Sequence, residues 1–293
     1  MSGQELIYYR RVKILDKELY TIAQVLVTFI KLPTMAYLDK IYIYPIKSLD
    51  RVEVSVVEVL PSGALAGDRT FAMIDSSGRF VNAKRYPQIH LLRSQFDLKT
   101  QNVQIQEQGK NKKFDFDLNS DSENFELWMS EFFGFEIKLI KNLEMGFPDD
   151  TSSPAPTITS TATLEIMQSW YGDISFEEIR RRFRTNLEIA EVEAFWEDQF
   201  FAHKGEASEF KIGNIKFLGV NPCARCIVPT RDSKTGEVYP NFQKIFTQKR
   251  QELLPDWAER SQFNHYYRVT VNTRISNLGT DPYLRIGDRI LYS

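Results

Sequence analysis

The stretch Phe210-Lys211-Ile212-Gly213-Asn214-Ile215 has the pattern of a strand, a tight turn and a second strand. A later stretch, Leu284-Arg285-Ile286-Gly287-Asp288-Arg289-Ile290, repeats this pattern. Gly followed by Asn or Asp between apolar residues is typical of a β-hairpin. Long helical patterns are few, and strands do not alternate with helices as they do around a parallel sheet. We therefore predict a mainly β fold with a few helices, of the α+β class, with a barrel-like architecture.

Residues 37 to 141 mostly have the pattern of strands. The segment 114–118 alternates apolar and acidic residues with period two, as expected of a half-buried strand. Asp75-Ser76-Ser77-Gly78 predicts a turn, and the flanking segments 70–74 and 79–83 predict the two strands of a hairpin. This part of the chain is therefore expected to form β-sheet structure of its own.

Four segments have helical signatures. Ser120-x-x-Glu123 and Ser175-x-x-Glu178 both have the form of a capping box, and Gly134 follows the first of these segments as a C-terminal stop signal. Two further helices are predicted, around 163–170 and over 242–253. The aromatic residues of these helices have the spacing of a packed apolar face, which favours core packing over cofactor binding.

A polar break at 148–156, rich in Asp, Ser, Thr and Pro, is the best candidate boundary, although it could instead line a site. We predict an N-terminal extension at 1–34 and two domains, at 35–147 and 148–293. The apolar stretch 20–32 is too short for a membrane span, which needs about 20 residues. The extension is expected to be poorly structured or adventitious, or else an amphipathic helix docked on the body.

The overall charge of the chain excludes some function classes. Its formal net charge is −2 over 293 residues, so no basic excess points to nucleic acid or to an anionic membrane surface as a partner. The chain has only two cysteines, which fits a reducing compartment and predicts a cytoplasmic protein.

Both cysteines lie in Asn221-Pro222-Cys223-Ala224-Arg225-Cys226, which we expect to be a turn leaving the strand 215–220. Arg225 and Arg231 are expected to favour the thiolate, which is a nucleophile and a soft metal ligand. A structural zinc site would need four ligands, and the three histidines of the chain do not have that spacing. A thioredoxin-like dithiol is not favoured, because Pro229 follows where a helix should begin. Two inert buried thiols stay an alternative.

Several polar residues outside the cysteine segment could hold an anion. Arg184 and Asn186 fall on one face if a strand begins there, which suits a phosphate or a ring amide, although an ion pair of Arg184 with Glu188 is the alternative. The segment 157–163 is rich in hydroxyls and leads into a helix N-terminus, which favours anions. Lys47-Ser48 and Arg69 follow turn signals, and ordinary turn chemistry would also explain them.

Taken together, five of these motifs resemble those of MOSC-domain proteins, the family named for the C-terminal domain of molybdenum cofactor sulfurase. They occur in the family's order, and the resemblance extends from Met35 to the C-terminus, including the family's N-terminal β-barrel domain. It implies a MOSC-type β-barrel preceded by a β-barrel-like domain. The segments that carry the resemblance are 44–48, 67–69, 83–87, 183–187 and 221–226.

The resemblance implies a molybdenum–pterin cofactor, the molybdenum cofactor, bound between the two parts. Cys226 would be the protein thiolate on molybdenum and the catalytic residue. The predicted cofactor-binding residues are Lys47, Ser48, Arg69, Ser160, Thr161, Arg184, Asn186 and Cys223. The family's acidic residue near the metal does not align cleanly with the 151–154 segment, and Arg85 stands where the family usually has Gln.

The family implies an oxidoreductase that reduces N-hydroxylated compounds such as amidoximes, hydroxylamines and N-hydroxylated bases. The chain has no ligand set for an iron–sulfur cluster and no dinucleotide fingerprint, so a separate electron-donor protein is expected. The alternative is a sulfur carrier with a persulfide on Cys226 or Cys223, and a third reading is cofactor storage. The sulfurases carry a pyridoxal-phosphate domain that we do not find in this chain, so pyridoxal phosphate stays a family-level alternative only.

Overall fold

Strands dominate residues 35–292, which are the residues that the computed structural model describes. These residues contain fifteen strands and four α-helices, so the predicted α+β class is confirmed. The strands are β1 (Tyr37–Ile43), β2 (Val52–Val54), β3 (Val56–Glu58), β4 (Phe71–Asp75), β5 (Leu92–Asp97), β6 (Asn102–Glu107), β7 (Lys113–Asp117), β8 (Ile137–Lys141), β9 (Ala155–Ser160), β10 (Leu187–Ala190), β11 (Ser208–Ile212), β12 (Ile215–Ala224), β13 (Arg268–Asn277), β14 (Tyr283–Arg285) and β15 (Ile290–Tyr292).

All four helices lie where the sequence predicts them. They are α1 (Ser122–Phe133), α2 (Thr161–Ser169), α3 (Phe176–Phe183) and α4 (Phe242–Glu252). Gly134 ends α1 in the left-handed region at φ 79°, as predicted. The predicted cap at Ser120 is wrong, because Asp117 accepts hydrogen bonds from the backbone of Asn119 and Ser120 and the helix begins only after Asp121. At α3 the Ser175 side chain does accept from the backbone N–H of Glu178.

The largest sheet has eight strands in the order β15–β11–β12–β13–β9–β10–β1–β2. The predicted hairpin at Gly213-Asn214 is confirmed, since β11 and β12 pair antiparallel on either side of it. The second predicted hairpin is wrong, because β14 pairs with β3 while β15 pairs with β11. The cause lies in the turn, where Gly287 donates to the Leu38 carbonyl and Leu38 donates to the Asp288 carbonyl. These bonds to β1 separate the two strands.

Further contacts between the start of β1 and the start of β15 curve the large sheet into a barrel-like form. Tyr37 of β1 bridges Arg289, and the N–H of Ile290 donates to the Ala36 carbonyl, so one end of the strand order approaches the other. The apolar side chains of the sheet form a buried cluster within this curve, which includes Leu38, Ile41, Ile158, Phe210, Phe217 and Val271. Among residues 35–292, the first strand and the last thus share one hydrophobic core.

Two smaller sheets and α1 enclose a second buried cluster, which includes Phe71, Met73, Ile105, Phe125 and Met129. The predicted turn at Asp75–Gly78 is confirmed, since the Asp75 carboxylate accepts from the N–H groups of Ser77 and Arg79. Segment 79–83 pairs with β4 only through a single bridge at Phe80 and the hydrogen bonds beside it, so it does not form the predicted strand, and the full partner of β4 is β8.

A third cluster lies where α2, α3 and α4 pack together, around Met167, Phe183 and Phe246. The predictions for 1–34 lie outside the described residues. Among residues 35–292 we find no helix with both the length and the apolar character needed to cross a membrane. The cytoplasmic location therefore stays a prediction.

Candidate functional site

A cavity of about 560 Å³ brings most of the predicted site residues together; we call it the cysteine cavity. Its walls come from the turns after β1 and before β4, the 148–155 loop, the C-terminal end of α3, the end of β12 and one face of β13. Seven of the nine predicted residues line it, namely Lys47, Ser48, Arg69, Arg184, Asn186, Cys223 and Cys226.

The charge of the cysteine cavity is opposite in sign to that of the whole chain. Seven lysines and arginines line it against two aspartates, whereas the chain as a whole carries −2. A concave, partly desolvated surface with this excess of positive charge attracts and holds anions. The cations are Lys47, Arg69, Lys84, Arg182, Arg184, Arg225 and Arg268.

The cysteine segment differs from the predicted turn. Strand β12 continues through Pro222 to Ala224, and the register with β13 shifts on both sides of Asn221-Pro222. A proline is tolerated inside a sheet at such bulges, because the missing N–H is not needed there. Cys223 therefore lies on the strand, half-buried, and Cys226 lies exposed in the loop that follows.

Only one of the two flanking arginines contacts a thiol. The Nη1 atom of Arg225 lies 3.3 Å from the Cys223 Sγ atom. Arg231 instead donates to the Gly236 carbonyl and is not part of the wall of the cysteine cavity. Cys226 thus presents its sulfur to the cavity while Cys223 is engaged by a side chain of the protein.

Three of the predicted residues have a strained backbone. Ser48, Arg69 and Arg184 have φ values of 75°, 49° and 51°, in the left-handed region that residues with a Cβ atom rarely adopt. Such conformations cost about 1–3 kcal/mol each and cluster at binding and active sites. Their concentration on one cavity wall makes that wall the candidate site.

Lys47 is the most deeply placed amine of the cavity. Its ammonium donates to the Phe147 carbonyl at 2.9 Å and pairs with Asp149 at 2.5 Å. Burial lowers the pKa of Lys47 despite the neighbouring carboxylate. The Asp149 side chain is exposed, and the charges of Lys47 and Arg69 outweigh its partial desolvation and hold the pKa of that carboxyl below its ordinary value. The ion pair thus opposes the effect of burial on the Lys47 ammonium.

Arg69 and Arg184 lie on the ring of buried Tyr44, with their guanidinium carbons 5.3 and 4.2 Å from the ring centroid. Arg69 also pairs with Asp68. Burial, reinforced by the charge of Arg69, lowers the pKa of Arg184, which forms no ion pair with any described residue. Its Nη2 atom donates to the Leu49 carbonyl at 2.8 Å. Arg184 is therefore a half-buried cation still available to an anion.

The prediction that Arg184 begins a strand is wrong, because it is the left-handed C-cap of α3. Arg184 and Asn186 lie on the same cavity wall because the chain turns at the end of α3, and not because they alternate along a strand. The alternative ion pair with Glu188 does not form either, since Arg180 binds both oxygens of that carboxylate at 2.8 Å.

Asn186 is a buried amide held in one orientation. Its Nδ2 atom donates to the Tyr42 carbonyl, and its Oδ1 atom accepts from the backbone and hydroxyl of Thr157. Ser160 and Thr161 do not line the cavity. Ser160 caps α2, and Thr161 donates to Glu188, which leaves Thr157 as the cavity hydroxyl of that segment.

The polar 148–154 loop lines the cavity, as one reading of the sequence anticipated. Asp149, Asp150, Ser153 and Pro154 are part of its wall. The Ser153 hydroxyl is buried and has no hydrogen-bond partner among the described residues. The loop thus presents an unused donor to whatever fills the cavity.

Sequence reasoning missed Arg268 and Asn272, which both line the cavity from β13. Asn272 donates to the Asn221 side chain at 2.9 Å, and Arg268 donates to the Pro222 carbonyl at 3.0 Å, so both hold the cysteine strand. The alternation of these polar residues with buried Val269 and Val271 is the signal that could have found them.

The donor set of the cavity fits a molybdenum–pterin group. Two observations support this fit. Cations are in excess around a wall in which three residues have left-handed backbone conformations, and a thiol is exposed beside that wall. Among residues 35–292 no three His, Cys, Asp or Glu side chains are grouped as a metal site. A metal held here would thus need ligands from an organic cofactor besides one protein thiolate.

Comparison with protein families matches both halves of the described chain. The model of the MOSC N-terminal beta barrel domain matches residues 35–144, and that of the MOSC domain matches residues 158–291. The chain belongs to the MOSC-domain proteins. The resemblance carried by the five motifs is confirmed.

The curated relatives of this MOSC-domain protein are of two kinds. Bovine (Bos taurus) molybdenum cofactor sulfurase is 22% identical over 87% of this chain and 32% of its own length. Mitochondrial amidoxime reducing component 2 from Homo sapiens is 23% identical over 89% of this chain and 84% of its own length. The chain thus spans about a third of the sulfurases it matches. The sulfurases are named for the molybdenum cofactor, and the amidoxime reducing components are named for reduction of amidoximes. The family is thus related to the molybdenum cofactor.

Proposed function

We propose that this protein binds the molybdenum cofactor in the cysteine cavity and reduces N-hydroxylated compounds with electrons from a separate donor protein. One observation carries the proposal: seven residues from four distant segments, including an exposed thiol and three strained cavity residues, line the same cationic cavity. The amidoxime reducing components support it, because the match covers 84% of their length.

In this proposal each residue has a role that its environment supports. Cys226 is the metal ligand and the catalytic thiolate, and Cys223 stays with Arg225. Lys47, Ser48 and Arg69 bind the pterin and its phosphate together with Arg184, and Asn186 binds the pterin ring amide. For Ser160 and Thr161 we infer an indirect role, since they hold the corner between β9 and α2 beside Thr157.

The bound cofactor would supply the two-electron chemistry that removes an oxygen atom as water. The chain's own residues neutralise the anionic end of the cofactor, orient it through Asn186 and leave one face of the cavity open near Cys226. Reduction of a hydroxylamine takes up two electrons and two protons and yields an amine and water. The 148–154 loop, with Asp150 and the free Ser153 hydroxyl, lies where a substrate would enter.

Replacing Arg184 by lysine is expected to weaken cofactor retention about tenfold. Lysine keeps the positive charge but cannot make a planar, bidentate contact with phosphate while it lies on the Tyr44 ring. The measurement is the pterin content per chain after gel filtration, read as fluorescence of the oxidised pterin, which does not depend on turnover.

Arg79→Lys is the matched control for this experiment. Arg79 is also an arginine, but it pairs with Asp75, is 64% exposed and lies outside the cavity. The pterin content of the Arg79→Lys variant should equal that of the wild-type protein. Equal pterin in Arg184→Lys, Arg184→Ala and wild type would remove Arg184 from the cofactor site.

The isolated protein is expected not to oxidise NADH, since the sequence has neither a dinucleotide fingerprint nor an iron–sulfur ligand set. With chemically reduced viologen, the cofactor-loaded protein should reduce benzamidoxime or a hydroxylamine. The rate should rise in proportion to molybdenum content across preparations. Direct oxidation of NADH by the pure chain would show that no separate donor is needed.

A sulfur carrier is the second candidate function, favoured by the exposure of Cys226 and by the sulfurase relatives. In this case the thiol bears a persulfide, and the cationic cavity holds the acceptor. Release of sulfide from cofactor-free protein by thiols, with no reduction of N-hydroxylated substrates by cofactor-loaded protein, would favour this function over the first.

A further inference from the structure

A second cavity, of about 580 Å³, adjoins the first; we call it the arginine cavity. Ser48, His90, Arg182, Arg184 and Val228 line both. Its other walls come from the turn that joins β1 to β2, from β5 and from one face of α3. Neither the motifs of the sequence nor the proposed reaction assigns it a ligand.

Six arginines line the arginine cavity against three carboxylates. Two of the arginines, Arg51 and Arg181, share Glu177, and Arg93 pairs with Asp50 at 3.2 Å. Among the described residues, Arg184 and Arg231 form no ion pair at all. Two guanidinium charges are therefore left without an acidic partner on the wall of one cavity.

The same wall holds an excess of hydrogen-bond donors. Eleven buried side-chain polar atoms have no partner in the described residues, and four of them belong to this cavity, namely Arg51 Nη1, Arg93 Nε, Arg231 Nε and His90 Nε2. Buried polar groups are nearly always paired, so a local concentration of unpaired donors indicates a missing acceptor. Three of these four atoms are guanidinium nitrogens, which can only donate.

The pKa of His90 reflects the same excess of positive charge. Burial, with the nearby charges of Arg184, Arg231 and Arg93, lowers the pKa of His90 to about 4. A neutral imidazole here avoids adding another positive charge to the cluster. An anion placed among these groups would reverse that effect and favour the protonated ring.

We propose that the arginine cavity binds a phosphate-bearing anion of its own, either inorganic phosphate or the phosphate of a nucleotide, beside the cofactor site with which it shares one wall. Planar guanidinium groups on several sides match the tetrahedral arrangement of phosphate oxygens better than they match a halide or a single carboxylate. The anion would take the place of the missing acidic partner of Arg231, which lines the arginine cavity alone. It would also satisfy the unpaired donors of the wall.

The experiment uses cofactor-free full-length protein carrying Arg69→Gln, which weakens anion binding in the cysteine cavity and does not touch the arginine cavity. Calorimetric titrations with inorganic phosphate, AMP and adenosine at constant ionic strength compare this protein with the Arg69→Gln/Arg231→Gln double variant. The double variant is expected to raise the dissociation constant of phosphate or AMP about tenfold or more, as loss of a charge-assisted hydrogen bond does. Arg285→Gln, at an exposed ion pair outside both cavities, is the matched control and should leave binding unchanged.

The three ligands distinguish the two sources of phosphate. If phosphate binds as tightly as AMP, the site is assigned to the free anion. If AMP binds more tightly than phosphate and adenosine does not bind, the site is assigned to a nucleotide. The proposal would be overturned if phosphate bound equally well to Arg69→Gln and to Arg69→Gln/Arg231→Gln. It would also be overturned if only adenosine bound, or if none of the ligands bound to Arg69→Gln. If Arg231→Gln does not fold, Arg231→Lys replaces it and should weaken binding severalfold. Because molybdenum is absent throughout, the result is independent of the proposed reaction.

Discussion

Serine in place of Cys226 is expected to abolish molybdenum-dependent reduction, with kcat lowered more than about a hundredfold. Loss of even an outer-shell partner of a metal ligand costs about 10–100-fold, and Cys226 would be a direct ligand. A serine oxygen is a hard donor and a poor substitute for a soft thiolate on molybdenum. Activity with reduced viologen and molybdenum per chain, measured on the same preparation, test this together.

Cys223→Ser is the matched control for Cys226→Ser. It removes the other thiol of the same segment, which is half-buried and engaged by Arg225. We expect this variant to keep its molybdenum and most of its activity, since one protein thiolate suffices beside a pterin dithiolene. Loss of molybdenum in Cys223→Ser with retention in Cys226→Ser would reverse the assignment.

The largest effect on stability is expected from Arg250→Ala, at about 3–5 kcal/mol of unfolding free energy. Arg250 is fully buried and pairs with equally buried Asp198, which would be left as an unpaired carboxylate. Arg250 also lies on the rings of Phe195 and Phe263, so the substitution leaves a void as well. Urea denaturation at pH 7.5 measures the change.

The pH dependence of that loss follows from the pKa of Asp198. Burial raises this pKa to about 6, although Arg250 opposes the rise. Without Arg250 the folded-state pKa is higher still, so the variant loses stability as the pH rises from about 4 toward neutrality. The difference from the wild type should therefore shrink at pH 5.

Arg285→Ala is the control, because Arg285 also pairs with an aspartate, at 2.8 Å, but at an exposed site. Surface pairs contribute about 0–1 kcal/mol, so its effect should stay in that range. A loss of less than 1 kcal/mol in Arg250→Ala would show that the buried pair is dispensable.

The fold could be predicted to the level of its class and its helices. Capping residues and apolar periodicity act within a few residues, so α1 and α3 were located from local sequence alone. The pairing of β14 and β15 with different strands was not predictable in this way. It depends on the backbone hydrogen bond that Gly287 donates to Leu38, about 250 residues earlier in the chain, and on the one that Leu38 donates to Asp288.

The sequence motifs predicted residues that do line one cavity, among them Lys47, Ser48, Arg69 and Cys226. Arg184 was predicted for the wrong reason, because a left-handed C-cap cannot be distinguished from the start of a strand in the sequence. Ser160 and Thr161 show the opposite error. Their hydroxyls satisfy partners within the protein, a competition that depends on tertiary contacts.

The missed residues have a common physical reason. Arg268 and Asn272 reach the cavity only because β13 pairs with the cysteine strand across a series of register shifts. A β-bulge re-aims side chains, and its position is set by both strands together. The polar face of β13 was visible in the sequence, but the cavity that it faces was not.

The central claim is that the cysteine cavity holds a molybdenum–pterin cofactor through Cys226. Its most direct test is elemental analysis together with pterin fluorescence on wild-type protein purified from a cofactor-competent host. We predict molybdenum and pterin in equal amounts that approach the protein concentration, and neither in protein from a host that cannot make the cofactor. Protein from the competent host that contains no molybdenum, but carries labile sulfane sulfur on Cys226, would contradict the claim.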